Sequence, residues 1–374
     1  MQRGKPAGGP VRGHTGRCSA AMNHTNRLLL PAPHDLLFDG CPPLSFARPL
    51  PPADVHKAAA AEVLLTDARP LGENRFAVAA LWPRNTFLAH RATSSPCDPL
   101  LAAETIRQSA IHLSHTFCDV PIGHHFVLSG LDLDLDLPVW DSGPLPVVLD
   151  VTSTKTTTNP RRMARALNAD VYVAGLHRGR CAIRFEVLAP RRYAMIRDRA
   201  RQAERPAQQA AAGAATALPP ETVGFHDDLH VLLATAQGLP DTAWQLRLRR
   251  DHPVLFDHES DHISGMALLE ACRQAATALT PPAPGAFGPR QVALTAVASS
   301  YQAFGELDSP VTITTLPAAH GHSPDSGTRT LQLTARQGSR TLITATVTTT
   351  TTAGTGSPGP TVPHHGDQTK AVAS

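Results

Sequence analysis

Glu104, Arg107 and Gln108 each stand 166 residues before Glu270, Arg273 and Gln274, and the same interval carries Gly72 to Gly238 and Val78, Ala80 and Trp82 to Trp244, Leu246 and Leu248. A shared ExxRQ alone could be chance. A turn, a strand, a loop and a helix recurring in one register is an internal duplication. The chain must then fold as two copies of one unit, and its 374 residues suit two domains of about 100 to 200 residues each.

Each copy alternates apolar and polar residues with period two, which marks half-buried strands. Leu131, Leu133, Leu135 and Leu137 alternate with Asp132, Asp134 and Asp136, and Ile183, Phe185 and Val187 with Arg184 and Glu186. In the second copy Trp244, Leu246 and Leu248 alternate with Gln245, Arg247 and Arg249, and Ile343, Ala345 and Val347 with threonines. Hairpin turns are expected at His177–Arg180, Gln237–Asp241 and Gln337–Arg340. One helix is expected per copy: 99–113, capped by Asp98 with Pro99 at the first position, and 265–278, capped by Ser264.

The Ala-, Gln- and Pro-rich run 199–220 reads as a linker between a first domain at 51–198 and a second at 221–348. Residues 1–50 read as a flexible arm and 349–374 as a disordered tail. An antiparallel sheet that recurs with one helix is best satisfied by curling around that helix to bury its apolar face. The expected class is α+β, a double hotdog: two antiparallel sheets, each wrapped around a central helix, paired as a pseudo-dimer.

At 42% hydrophobic residues the chain can build buried cores, and a net charge of +3 lacks the basic surplus of a nucleic-acid binder. The six cysteines form no CxxC pair, so neither a zinc frame nor a disulfide framework is indicated. The apolar cluster Leu28–Leu30 is broken by Pro31 and Pro33, and no run approaches the roughly 20 apolar residues of a membrane span. The expectation is a cytoplasmic protein that engages neither nucleic acid nor membrane, with a homodimer left open.

Several motifs resemble the A-factor synthase family. They are VHKAAAAEVLLTD at 55–67, WPR at 82–84, DPLLAAETIRQ at 98–108 and VPIGHHFVL at 120–128 in the first copy. In the second they are FDHESDHISGMALLEACRQAA at 256–276 and YQAFGELDSPV at 301–311. The resemblance spans about residues 54–348. It implies an actinobacterial enzyme of γ-butyrolactone autoregulator biosynthesis, an acyltransferase that moves a β-ketoacyl group from acyl carrier protein to a hydroxyl of dihydroxyacetone phosphate. No dissociable cofactor is implied, because the donor brings its own phosphopantetheine. The second helix is also similar to that of hydroxyacyl-carrier-protein dehydratases, but His258 precedes Glu270 by 12 residues and the HFPG text of those enzymes is absent.

Acyl transfer needs a base, donors for an oxyanion and a slot for the chain. Glu270 is the expected base or orienting group, and the N–H of Gly265 or Met266 at the helix start the expected oxyanion donor. His258 and His262, beside Asp257 and Asp261, share proton transfer or hold a polar head; a metal is not expected there. Arg273 and Arg107 either clamp a phosphate or pair with the glutamate three residues before, and Gln108 and Gln274 bond neighbouring backbone. Glu104 is a second site or a relic: Pro99 stands where Gly265 stands, yet His90 precedes Glu104 by 14 residues, near the dehydratase interval. His56 and Lys57 meet carrier-protein or phosphate anions or lie at a solvated strand end, and His124 and His125 read as structural. The alternatives are a thioesterase or dehydratase on this scaffold, or a non-catalytic acyl-binding regulator.

Overall fold

The computed structural model describes residues 43–82, 97–136, 144–159, 162–204, 215–281, 290, 292–316, 322–323 and 327–351. The first copy runs β1 (Leu65–Gly72), β2 (Arg75–Trp82), α1 (Leu100–Phe117), β3 (His125–Leu135), β4 (Leu145–Lys155), β5 (Met163–Val173) and β6 (Leu176–Leu188). A connecting helix, α2 (Pro190–Glu204), leads to β7 (Ala215–Ala217), β8 (Leu233–Ala236) and β9 (Ala243–Leu246). Then come α3 (Gly265–Leu279), β10 (Val292–Tyr301), β11 (Thr312–Leu316), β12 (His322–Ser323), β13 (Thr328–Gln337) and β14 (Arg340–Thr351).

The strands join in one antiparallel sheet, ordered β1-β2-β4-β5-β6-β3-β10-β14-β13-β11-β9-β8-β7, with β12 against β13. Apart from β7 the order is a mirror image about the β3–β10 seam. There Asp132 faces Ala298, 166 positions later, while Leu131 faces Ser299 and Leu133 faces Val297. The duplication register is therefore built into the pairing as a pseudo-two-fold axis. Arg184 stitches the seam: it bonds Asp132 at 2.5 Å and Ser299 O at 3.2 Å, and its guanidinium lies where a side chain at residue 130 would stand, which is why Gly130 is there.

Each half-sheet curls around its helix as expected. Leu100, Leu101, Ile106, Ile111 and Leu113 of α1 are buried, and Leu268, Leu269, Cys272 and Ala275 of α3 likewise; each large side chain contributes about 1.5–3 kcal/mol. Ser264 caps α3 as expected, accepting from Ala267 N at 3.2 Å, whereas α1 starts one residue later than expected, at Leu100 with Pro99 as its cap, and Asp98 accepts from Leu100 N at 2.9 Å. The register is finer than one offset. Leu65 pairs with Ala80 whereas Leu233 pairs with Leu246, so the first hairpin is two residues longer. Equivalence is 166 from the second hairpin strand onward and 168 before it, which matches His56 to Gly224, Glu62 to His230 and Leu64 to Leu232.

Four expectations need correction. The first concerns 199–204, which is helix rather than linker: PRRYAMIRDRARQAE opens on Pro190 and is rich in helix formers. At the amino end, residues 43–50 pack onto the sheet: Leu44 is buried, Ser45 N bonds Asp67 at 3.0 Å and Leu50 N bonds Leu65 O at 2.8 Å. Nor do 349–351 belong to a tail; β14 runs through Thr351, paired with Val292. Lastly, the β5–β6 hairpin turns at Ala174 and Gly175, both at positive φ, not at His177–Arg180. Gly179 lies within β6 at φ 124, pressed against Asp134 O, where a side chain would collide. The far end of the expected linker is folded too: 215–217 form β7 and Leu218 N bonds Leu233 O at 2.9 Å. Residues 1–42, 205–214 and 352–374 of the expected arm, linker and tail, and His90, fall outside the described residues. Among the described residues no helix is long and apolar enough to cross a membrane.

Candidate functional site

The two copies enclose a cavity of about 1110 Å³, walled by α1, β3, α2, the loop 254–264 and the first turn of α3. One side is apolar, with Ile111, Phe126, Leu128, Ile183, Phe185, Ile196 and Leu268; the other carries His56, Lys57, Glu104, Arg107, Asp257, His258 and His262. Both sides draw on both copies.

The centre of the polar side is Lys57. Its ammonium stands 3.3 Å from Glu104 and 3.6 Å from Asp257, and all three side chains are almost completely buried. Glu104 also takes a bidentate pair from Arg107 at 2.7 and 2.8 Å and a bond from Gln108 at 2.8 Å. Burial alone would raise the Glu104 carboxyl, but the charges of Arg107 and Lys57 with these hydrogen bonds outweigh it and hold the group at about 2. Glu104 is thus a fixed anion and a weak base. Nearby Glu62, which the sequence reading passed over, is pushed by burial up to about 7, against the pull of Lys57 and helped by Glu104 and Asp257.

Asp257 comes from the second copy and closes this cluster. It accepts from Ala58 N at 3.1 Å and lies 2.7 Å from His258 Nδ1. Although burial works against it, the bond to His258 and the charge of Lys57 keep its carboxyl below the ordinary value. A carboxylate only accepts, so His258 Nδ1 carries the proton and Nε2 is left as the acceptor of a half-exposed ring on the cavity.

His56 is held differently. His115 Nδ1 donates to Val120 O at 2.8 Å, so its Nε2 is bare and His56 Nε2 must donate across their 3.0 Å contact. The remaining Nδ1 of His56 is an acceptor. Burial, then the neighbouring His115, Arg107 and His258, lower this imidazole to about 4, so it is neutral near pH 7. Its backbone is left-handed, φ 52, a conformation that costs a side-chain-bearing residue about 1–2 kcal/mol. The second copy has Gly224 here, at φ 88.

At the start of α3, Ala267 N and Leu268 N make the first bonds, to Ser264 O, leaving the N–H groups of Gly265 and Met266 without a protein acceptor among the described residues. Gly265 is close-packed: a Cβ there would come within 2.9 Å of Leu128 and 3.1 Å of Tyr301, whose hydroxyl donates to Gly265 O at 3.1 Å. His262 sits 2.8 Å from Asp261, which also accepts from Tyr193 at 2.6 Å and Arg197 at 2.9 Å. Those bonds overcome burial and hold Asp261 far below the carboxylate range. Arg197, 1% exposed, also forks onto Glu306 at 2.8 and 2.9 Å, so α2 is bolted to the second copy beside the cavity.

Glu270 does not face the cavity, and Arg273 takes the second of its two expected roles, the pair with the glutamate three residues before. Their bidentate pair, at 2.5 and 2.7 Å, is sealed at 1% and 4% exposure, and neither lines the cavity. Gln274 bonds Glu270, Leu232 N and His230 O, just as Gln108 bonds Glu104, Leu64 N and Glu62 O. The ExxRQ unit is therefore a clamp holding each helix to the segment before its hairpin, and only the first copy's clamp opens on the cavity. In the second, Phe225 stands at the position of Lys57, and His230, at the position of Glu62, lies 3.0 Å from the fully buried His252.

The model of the A-factor biosynthesis hotdog domain matches the chain twice, at residues 41–189 and 206–353. A 2-oxo-3-(phosphooxy)propyl 3-oxoalkanoate synthase of Streptomyces virginiae is 36% identical over 306 residues, 78% of this chain and 95% of that relative. The synthase of the same name from Streptomyces coelicolor is 30% identical over 305 residues, 80% and 91% of the two chains. Among solved structures, an acyl-ACP thioesterase from Bacteroides thetaiotaomicron is 10% identical with a TM-score of 0.43, covering 73% of this chain and 97% of that one.

Proposed function

Because the chain belongs to the A-factor biosynthesis hotdog family, we propose that it is an acyltransferase of γ-butyrolactone autoregulator synthesis, moving a β-ketoacyl group from the phosphopantetheine of acyl carrier protein to a hydroxyl of dihydroxyacetone phosphate. The relatives' name describes an ester of a 3-oxo acid with a phosphorylated hydroxyketone, and that ester is the product of such a transfer. The observation that carries the reading is one cavity holding an Asp–His pair, a lysine–glutamate–arginine cluster and an open helix start beside an apolar chamber.

In this reading the acyl chain lies along Ile111, Phe126 and Phe185 with its thioester carbonyl at the N–H groups of Gly265 and Met266. His258 Nε2 takes the proton as the acceptor's hydroxyl oxygen attacks the carbonyl carbon; the C–S bond then breaks and the proton passes to the departing sulfur. Asp257 holds the tautomer that leaves Nε2 free, and His262, also on the cavity, holds a polar head. Lys57 and Arg107 face the phosphate, and Glu104 fixes both cations in place. The test is purified protein with β-ketoacyl carrier protein, with and without dihydroxyacetone phosphate. Acyl loss should require the acceptor and yield the phosphorylated ester; equal loss without it would make the protein a hydrolase.

A further inference from the structure

The inner face of α2 belongs to the site: Tyr193, Ile196 and Ala200 line the cavity and Arg197 bolts the helix down. Its outer face has no such employment. Arg191, Met195, Asp198, Arg199 and Gln202 share one stripe at helical spacing and are exposed, Met195 at 56%, so two arginines stand on this face against one aspartate. Neither Arg191 nor Arg199 has an ion-pair partner among the described residues, whereas Arg192 pairs with Glu186 and Arg201 with Asp261. The charge is also concentrated. These 15 residues hold five arginines against Asp198 and Glu204, a surplus of three, as large as the net +3 of all 374 residues.

We propose that the outer face of α2, with Arg191, Met195 and Arg199, is the docking surface for the acidic face of the acyl carrier protein. This rests on the acyltransfer reading and adds where the donor sits. A thioester presented on a protein-bound arm has to enter the cavity from a protein seated at its wall, and α2 is the wall that combines cavity-lining residues with unpaired outward cations. Exposed arginines around one apolar methionine suit a partner of opposite charge; such complementarity acts on encounter and register and weakens with salt. A small thioester gains nothing from that surface.

The test compares wild type with the double variant Arg191→Glu/Arg199→Glu, neither residue touching the cavity. Two donors are used, the β-ketoacyl carrier protein and the same acyl group on free pantetheine, and binding of holo-carrier protein is followed separately by fluorescence anisotropy. Charge reversal should raise KM for the carrier-protein donor about tenfold or more with kcat little changed, leave the pantetheine donor unaffected, and abolish the salt dependence of binding. Lysines at both positions should restore it. Equal loss with both donors, no loss with either, or unchanged carrier-protein binding would overturn the proposal. Binding that is lost on charge reversal while wild type transfers from neither donor would instead refute the acyltransfer reading and keep the docking surface.

Discussion

His56 and Gly224 occupy the same left-handed turn in the two copies, at φ 52 and φ 88, and only His56 faces the cavity. A side chain is retained where the backbone favours none. His56→Ala should therefore be less stable than His56→Gly by about 1 kcal/mol, the reverse of the usual order of alanine and glycine, as urea unfolding would read.

The two glutamates of the repeated clamp should separate by phenotype. Glu270→Gln leaves Arg273 charged and sealed, so unfolding free energy should fall by about 3 kcal/mol while activity per folded molecule survives. Glu104→Gln frees Lys57 and Arg107 on the cavity wall, where kcat/KM should drop about 100-fold with a smaller stability loss. Equal stability losses with equal kinetics would contradict the asymmetry.

Acid should weaken the fold through its buried imidazoles. His252, lowered by burial and by His230 to about 4, leaves a pH window in which the unfolded chain is protonated near 6.5 and the folded chain is not. Its contribution is complete above 6.5 and is lost as pH falls towards 4; His56 behaves alike. Glu62, raised to about 7, acts oppositely: its contribution is full below 4.5 and is lost as pH rises through 7. Thermal midpoints should fall less steeply between about pH 6.5 and 4.5 in His252→Asn than in wild type.

Arg197→Met removes the bolt between α2 and the second copy. Glu306, 7% exposed, would lose its bidentate partner, so stability should fall by about 3 kcal/mol. Hydrogen exchange should rise in 190–204 before it rises in α1 or α3. Uniform exchange throughout would mean that α2 is held by other contacts.

Gly265→Ala probes the helix start with a single methyl group. Its Cβ meets side chains of Leu128 and Tyr301 rather than backbone, so the fold should accommodate it at about 1–2 kcal/mol. The thioester carbonyl could no longer reach the N–H groups, and kcat should fall about 100-fold. Unchanged kcat would remove these donors from the mechanism.

The duplication, both helices and most strands were legible because each is written in local periodicity. The cavity was legible in its residue types but not in its geography. Glu270 looked better than Glu104 because Gly265 and two histidines precede it in sequence. In space, Asp257 of the loop before α3 meets Lys57 beside Glu104 of the other copy, and no local pattern encodes that crossing. The two-residue difference in hairpin length hid the equivalence of His56 and Gly224, and with it the one signal that could have singled out His56. Helix α2 was obscured by its neighbour, since the Ala-rich run after it blurred where folded sequence stops.

Across the β3–β10 seam, Asp132 and Ala298 mark an axis of symmetry that the chemistry around it does not obey. Joining both halves in one polypeptide makes the molecule a heterodimer whose subunits cannot exchange. Each cavity-bearing half is guaranteed the half that supplies its missing loop, at any concentration. A histidine at position 56 can therefore stand on one side only, opposite glycine at 224, without ever meeting a copy of itself across the seam.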